Sequence, residues 1–484
     1  MSVEPLERLR RGLVVTWRRS VGDLQHAWAP ARQAQSAVYA GALLLLLVSA
    51  VFGGASQTNA LSLMAVELAS LPLLFLSLYL ILAGVAPAGS AFPIGLLAAI
   101  VLVPVLQIVP LPFDLWRQLP GREVVVQALD AAGLGHAALP FSLAPQQTWR
   151  SMLALSPPAA MFLGALMLTD GQRRTMAALW LVLAVASLCL GGLQMLGGSD
   201  SALYFYPITN ADSPVGFFAN RNHQASFLLC LLPLAAMFAA RFDGRFDSPR
   251  LLPALAATLY VFIAIVGVAA TRSRAGIALA LVALVGVAAI VLRGEAVRRH
   301  WRAAAGLGAG VALAIGGVLA FGLGPITERF AAGGEPRFEG WPIALRAAQS
   351  FLPLGSGVGS FSAVYGGVEP LAQVSPIYFN HAHNDYLELW LETGLAGVAL
   401  LALFACWLAW RAFLIWRRRI TAGGGGMAAA CTVLVALLLA HSTVDYPLRT
   451  ETIAVLFAFA CATIAAWRPE SEAPRQRRRR RRKD

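Results

Sequence analysis

The stretch FNHAHNDYLELWLETGLAG, residues 379–397, places His381, His383, Asp385, Glu388 and Glu392 directly against an apolar run. A neutral imidazole can take up a proton near physiological pH. Arginines recur in two other short segments, Arg221 in GFFANRNHQASF and Arg272 and Arg274 in TRSRAG. A guanidinium offers paired donors in one plane and keeps its charge, which suits a phosphate or pyrophosphate. A base of this kind can relieve an attacking hydroxyl of its proton, and such arginines can stabilise the charge that develops on a departing phosphate group.

Composition says what must position these groups. Of the 484 residues, 58% are hydrophobic and only 13% charged, and the mean hydropathy is +0.66. Apolar runs close to the roughly 20 residues needed to cross a hydrocarbon core recur along the chain. Backbone polar groups in lipid must be satisfied within their own segment, so runs of this length predict helices, whereas barrel strands would show short alternating patterns. The expected fold is an all-α polytopic membrane protein with about 12 transmembrane helices. The spans are placed at about 36–54, 61–85, 92–110, 151–168, 175–196, 223–241, 251–270, 275–292, 303–322, 388–410, 427–445 and 451–467. All five cysteines fall inside apolar runs and read as small packing residues. The arginine-rich opening of the chain does not resemble a cleavable signal.

Orientation follows from the positive-inside rule. With a cytoplasmic N-terminus, most of the 38 lysines and arginines, including Arg173, Arg174, Arg411 and the tail RQRRRRRRK, gather on the cytoplasmic face. Both termini are then cytoplasmic. The net charge of +13 mainly reflects this topology, and the tail is expected to rest on anionic lipid headgroups rather than nucleic acid. This scheme gives a cytoplasmic basic segment at 1–35, a transmembrane domain at 36–467 and a cytoplasmic Arg-rich tail at 468–484. Its external connections are 111–150, 197–222 and 323–387, the last a large loop between helices 9 and 10. The external arginines run against the insertion rule and are therefore informative: Arg221, Arg272 and Arg274 at helix mouths, and Arg117, Arg122, Arg150, Arg329, Arg337, Arg346 and Arg449 elsewhere.

His383, Asn384, Gly394 and Gly397 form the pattern HN-x9-GxxG at the start of the tenth span. With GFFANRNHQA, TRSRAG and the stretch from Arg337 through Trp341 to LGSGVGSF, it resembles the O-antigen ligase and polymerase superfamily over about residues 200–450. Those proteins are polytopic glycan transferases acting on undecaprenyl-pyrophosphate-linked sugars. The resemblance implies an inner-membrane enzyme with a periplasmic site, His383 as the catalytic residue, and Arg221 with Arg274 or Arg272 as pyrophosphate ligands. His381 is an additional histidine that the pattern does not require. The implied partners are the lipid-linked glycan donor, an acceptor that is either lipid A core or a growing glycan, and membrane lipids.

No nucleotide is needed, because the donor sugar already carries its leaving group, and GSGVGSF lacks the Walker lysine and reads as a flexible turn. No cofactor is expected. His381, His383 and Asp385 also fit H-x-H-x-D, but Tyr386 stands where a further ligand would follow, and no metal is expected. Asp385, Glu388 and Glu392 share one helical face, and the helix dipole accounts for the first two. Glu392 and Glu67 lie deeper, and either line the site or bond a neighbouring helix. Asp445 and Arg449, in HSTVDYPLR, either pair with each other or Arg449 joins the anion site. Asn384, Arg337, Arg449 and Asp445 complete the supporting candidates. RFEGWPIALRAAQSF, 337–351, has helical periodicity and is expected to form an interfacial lid. The twelve-span count and the intact HN pattern favour a ligase acting on lipid A core. A polymerase joining repeat units is the alternative, and a polysaccharide or solute transporter is the rival from another class, which should show internal repeats and midplane charges.

Overall fold

The computed structural model describes residues 31–55, 60–241, 249–293, 316, 336–374, 379–418 and 425–469. The predicted span 303–322 and the two basic termini fall largely outside them. The described chain is almost wholly helical: α1 Ala31–Phe52, α2 Ala60–Leu82, α3 Ala91–Gln107, α4 Phe113–Trp116, α5 Glu123–Ala131, α6 Pro145–Ala154, α7 Ser156–Met167, α8 Asp170–Gly197, α9 Arg221–Ala240, α10 Leu251–Ala270, α11 Arg274–Val291, α12 Pro336–Ser350, α13 Phe361–Val368, α14 Asp385–Trp416, α15 Gly425–His441 and α16 Glu451–Ala466. The strand pair is minimal, β1 Pro110–Leu111 running antiparallel to β2 Leu139–Pro140.

Seven helices among the described residues, α1, α2, α8, α9, α10, α11 and α14, are long and apolar enough to cross a membrane, and α3, α15 and α16 are shorter apolar helices. The predicted span 151–168 is divided at Leu155 into α6 and α7. Pro157 and Pro158 open α7 and cannot donate back into the preceding turn, so an apolar run continuous in sequence is broken in backbone.

Local signals explain several boundaries. Thr169 Oγ1 accepts from the Gln172 amide at 3.2 Å while Gln172 Oε1 accepts from the Thr169 amide at 2.9 Å, a reciprocal cap that starts α8. Arg173 then donates to the Ala165 and Leu166 carbonyls at 3.1 and 3.0 Å, and Arg411 donates to Ile464 and Trp467 carbonyls at 2.6 Å each. Arginines that look in sequence like topology markers therefore also satisfy the orphan carbonyls ending α7 and α16.

The core is centred on α9, which is buried along nearly its whole length and packs on α10, α11, α15 and α8. Trp180 and Phe227 meet edge to face at 5.8 Å, and Phe218 lies 5.4 Å from Phe227. Apolar side chains gain little by leaving lipid for one another, so close approach through small residues matters more. Ala428, Ala429 and Ala430 of α15 and Ala458, Ala460 and Ala462 of α16 are buried small residues on two helices that pack on each other and on further neighbours. Large apolar side chains such as Leu68, Phe75, Leu259, Val285 and Phe413 remain exposed along α2, α10, α11 and α14, as lipid-facing surfaces require.

α14 is two helical segments joined at Gly394, whose φ of 57° and ψ of −143° are not helical. The loop after α12 inserts at this break. Leu395 donates to Pro353 O at 2.8 Å, and Ser356 and Gly357 donate to the Leu391 and Glu392 carbonyls at 2.9 Å each. Gln107 fastens the junction from α3, donating to Glu392 O at 3.1 Å and accepting from the Val358 amide at 2.8 Å. The GSGVGSF segment is thus packed against a broken helix rather than free as a flexible turn.

Candidate active site

Three helix starts and one helix end converge at one end of the bundle. Asn220 caps α9, its side chain accepting from the Asn222 amide at 2.8 Å, and Ser273 caps α11, accepting from Gly276 at 3.0 Å. Asn384 caps α14, accepting from the Tyr386 and Leu387 amides at 3.1 Å each. The asparagine of the HN pattern is accordingly a helix cap, which fixes where the preceding residue points. That residue, His383, sits at φ 50°, and Arg272, just before the Ser273 cap, sits at φ 52°. Side chains rarely tolerate this left-handed region, and among the described non-glycine residues it occurs at two sequence-predicted site positions.

His383 Nδ1 lies 3.1 Å from Asp445 Oδ1. The histidine is 23% exposed and the aspartate fully buried, so the pair has one face toward solvent and one inside the fold. Asp445 follows the end of α15. Its Oδ1 also accepts from the Tyr446 amide at 3.0 Å, and its Oδ2 accepts from Asn222 Nδ2 at 2.7 Å. His441 Nε2 approaches Oδ2 at 3.8 Å, and His441 Nδ1 contacts Ser226 Oγ at 2.5 Å. Burial alone would raise the Asp445 carboxyl. The hydrogen bond to His383 and the imidazoles of His223 and His441 outweigh it and hold the group well below the ordinary carboxylate range. An ionised carboxylate can only accept, so His383 must donate through Nδ1, which leaves Nε2 to receive a proton.

Four of the chain's seven histidines meet here. The rings of His223, His381 and His383 surround Tyr446 at 5.2, 4.4 and 4.8 Å. His381 belongs to a second cluster, with Nδ1 2.8 Å from Glu388 Oε1 and the Ala382 amide donating to Glu388 Oε2 at 2.9 Å. Arg449 Nη2 reaches Glu388 Oε1 at 3.3 Å and Glu392 Oε2 at 3.5 Å, and its Nε lies 3.5 Å from Asp385 Oδ1. Ser442 Oγ donates to the other Asp385 oxygen at 2.7 Å, and Glu392 Oε1 accepts from the Phe361 amide at 3.2 Å. Although burial opposes it, the three carboxylates hold the Arg449 guanidinium charged.

The H-x-H-x-D side chains diverge: His383 turns to Asp445, His381 to Glu388, and Asp385 to Ser442 and Arg449. Arg449 and Asp445 engage separate clusters instead of each other, and Arg449 is committed to carboxylates. Asp385 and Glu388, ascribed in sequence to the helix dipole, are its ion partners, and Glu392 joins them. Glu67 stands apart, half-buried in α2 within electrostatic reach of Glu451. Arg221 and Arg274 are the first residues of α9 and α11, both half-buried, while Arg272 is exposed.

A hydrogen bond from Ser273 Oγ to Asn222 Oδ1, 2.8 Å, brings the two arginine-bearing turns side by side next to Asp445. The α12 helix occupies the predicted lid segment, and Trp341 Nε1 donates to Ala382 O at 2.8 Å, one residue before His383. The side chain of Arg337 lies outside the described residues. Asn222, Ser273, His441 and Tyr446 were missed in sequence. Only the i, i+4 spacing of His441 and Asp445 offered a signal.

No curated protein matches the chain. Residues 259–402, which take in Arg272, Arg274, His383 and the break in α14, match a family model described as O-antigen ligase, so this part of the chain is similar to that family.

Proposed function

We propose that this protein moves a glycan from undecaprenyl pyrophosphate to an acceptor hydroxyl on the periplasmic side of the inner membrane, as an O-antigen ligase acting on lipid A core. The contact between His383 and the ionised Asp445, beside the Arg221 and Arg274 turns, carries this reading. Asp445 holds His383 in the tautomer whose Nε2 accepts the acceptor's hydroxyl proton. The acceptor oxygen then attacks the anomeric carbon, and the bond from that carbon to the pyrophosphate oxygen breaks. Arg221 and Arg274 take up the charge that develops on the leaving pyrophosphate. A positioned base contributes about 10²- to 10⁴-fold. Arg272, exposed at the turn, is the weaker candidate for the pyrophosphate, and Arg449 supports the site through its carboxylates.

The test is reconstitution of the full-length protein with undecaprenyl-pyrophosphate-linked repeat units, with and without rough lipopolysaccharide. Transfer to the lipid A core is the expected result. Growth of glycan on the lipid carrier alone would assign a polymerase, and solute movement with no transfer would assign a transporter. Loss of transfer in purified His383→Ala and Arg221→Ala, both still inserted, ties the activity to this site.

A further inference from the structure

We propose that Asn222 is a positioning residue that locks the His383–Asp445 pair to the TRSRAG turn, so that the base and the phosphate-binding arginines keep one fixed spacing across the reacting atoms. The inference rests on the glycan-transfer reading above and deepens it. The amide of Asn222 is used at both ends. Its Nδ2 donates to Asp445 Oδ2 at 2.7 Å, and its Oδ1 accepts from Ser273 Oγ at 2.8 Å. Asp445 in turn contacts His383, and Ser273 is the cap of α11, holding Gly276 at 3.0 Å. One unbroken path of hydrogen bonds therefore runs from the base to the start of α11.

The residues on that path flank the arginines. Asn222 follows Arg221, and Ser273 lies between Arg272 and Arg274. A side chain bonded only to Asp445 would orient the carboxylate, and one bonded only to Ser273 would join two helices. Asn222 does both, and an amide can because it carries a donor and an acceptor on one rigid plane. An aspartate of the same size keeps the acceptor for Ser273 but presents a second carboxylate oxygen to Asp445. Like charges at that distance repel and disfavour a shared ionised state. The network is largely buried, with Asp445 at 0% and Ser273 at 1% exposure, which keeps water from substituting for the amide.

The spacing matters because the proton leaves the acceptor as charge grows on the pyrophosphate. A base displaced relative to the arginines serves a geometry that the transition state does not adopt. Loss of the link should therefore lower turnover more than it weakens donor binding.

The experiment uses the full-length protein in proteoliposomes with undecaprenyl-pyrophosphate-linked repeat units and rough lipopolysaccharide, measuring kcat and donor KM for Asn222→Asp, Asn222→Ala, Ser273→Ala and the Asn222→Ala/Ser273→Ala double variant. Asn222→Asp and Asn222→Ala are expected to lose about 30-fold or more in kcat with donor KM within about 3-fold. Ser273→Ala is expected to lose about 5- to 10-fold in kcat alone, and less than about 2-fold further in the Asn222→Ala background. Additive losses in an active enzyme, or near-normal kcat in Asn222→Asp, overturn the inference. Should Asn222→Asp fail to insert, the Ser273→Ala cycle decides alone. A wild-type protein that transfers no glycan overturns the glycan-transfer reading and this inference with it.

Discussion

In the proposed reaction Asp445 has to stay ionised for His383 to act as a base, and its surroundings hold it well below the ordinary carboxylate range. Substitution Asp445→Asn keeps the size of the side chain but offers a donor amide, which favours the His383 tautomer with its proton on Nε2. Turnover is expected to fall about 10²- to 10⁴-fold while the protein still inserts, read as initial transfer rate by purified variant and wild type. The same substitution has a pH signature. Because the folded carboxyl titrates below its unfolded value, its stabilisation is complete above the ordinary carboxylate range and is lost as pH falls through the lower, folded value. The difference in Tm between wild type and Asp445→Asn should thus shrink as pH falls below about 4. A gap that stays unchanged through that acid range would contradict the assignment. Arg122, in the 111–150 segment that is expected outside, shows the opposite use of burial. It is enclosed by Trp116, Phe141 and Phe351, donates to Phe141 O at 2.6 Å, and is pushed down to about 10 by loss of water, which marks it as a packing residue of that segment rather than an anion ligand.

At the level of elements, apolar length was legible and its interruptions were not. Apart from 303–322, and with 151–168 divided between α6 and α7, each predicted apolar segment falls on a described helix, because the lipid constraint acts on every residue of a run at once. The helix at α12 was also readable from its periodicity. The division at Leu155 and the break at Gly394 were not, since hydropathy continues through both. The HN-x9-GxxG pattern contained the second break without explaining it. At φ 57° and ψ −143° Gly394 occupies a region closed to other residues, and a Cβ there would lie 2.2 Å from Pro353 O. Gly397 is tight for another reason: its backbone is helical, but a Cβ there would lie 1.8 Å from Thr393 Oγ1 and 2.8 Å from Thr393 Cβ. Gly394→Ala is expected to destabilise the protein by about 1–3 kcal/mol through backbone strain alone, before the clash is counted. The loop at 352–360 should then become the first site of protease cleavage, with Gly366→Ala, where a Cβ meets nothing within 4 Å, close to wild type. Equal protease resistance in both variants would mean that the inserted loop does not depend on the break. The site's long-range contacts were illegible for a different reason: Asn222 and Asp445 are 223 residues apart, and no local pattern records that pairing.

For the whole molecule, the bundle keeps its reactive groups at one end and its arginine-capped helix termini elsewhere, and the positive-inside rule assigns each end a side of the membrane. Arg150 and Arg346 are exposed on the segments expected outside, and Arg418 is exposed just beyond α14, where the cytoplasm is expected. Native thiols complicate labelling only in part. Cys230, Cys431 and Cys461 are buried in the core, and Cys189 and Cys406, though exposed, lie on the apolar helices α8 and α14. In a background with all five replaced by alanine or serine, Arg346→Cys and Arg150→Cys should react with a membrane-impermeant maleimide in intact spheroplasts. Arg418→Cys should react only after lysis. The reverse pattern would place His383 and the arginine turns on the cytoplasmic side, where a donor presented at the periplasmic face could not reach them. Labelling of all three in intact cells would mean that the charge bias does not set one orientation for this chain. The expected pattern would instead link the asymmetry of charge in the sequence to the side on which the His383–Asp445 pair meets its substrate.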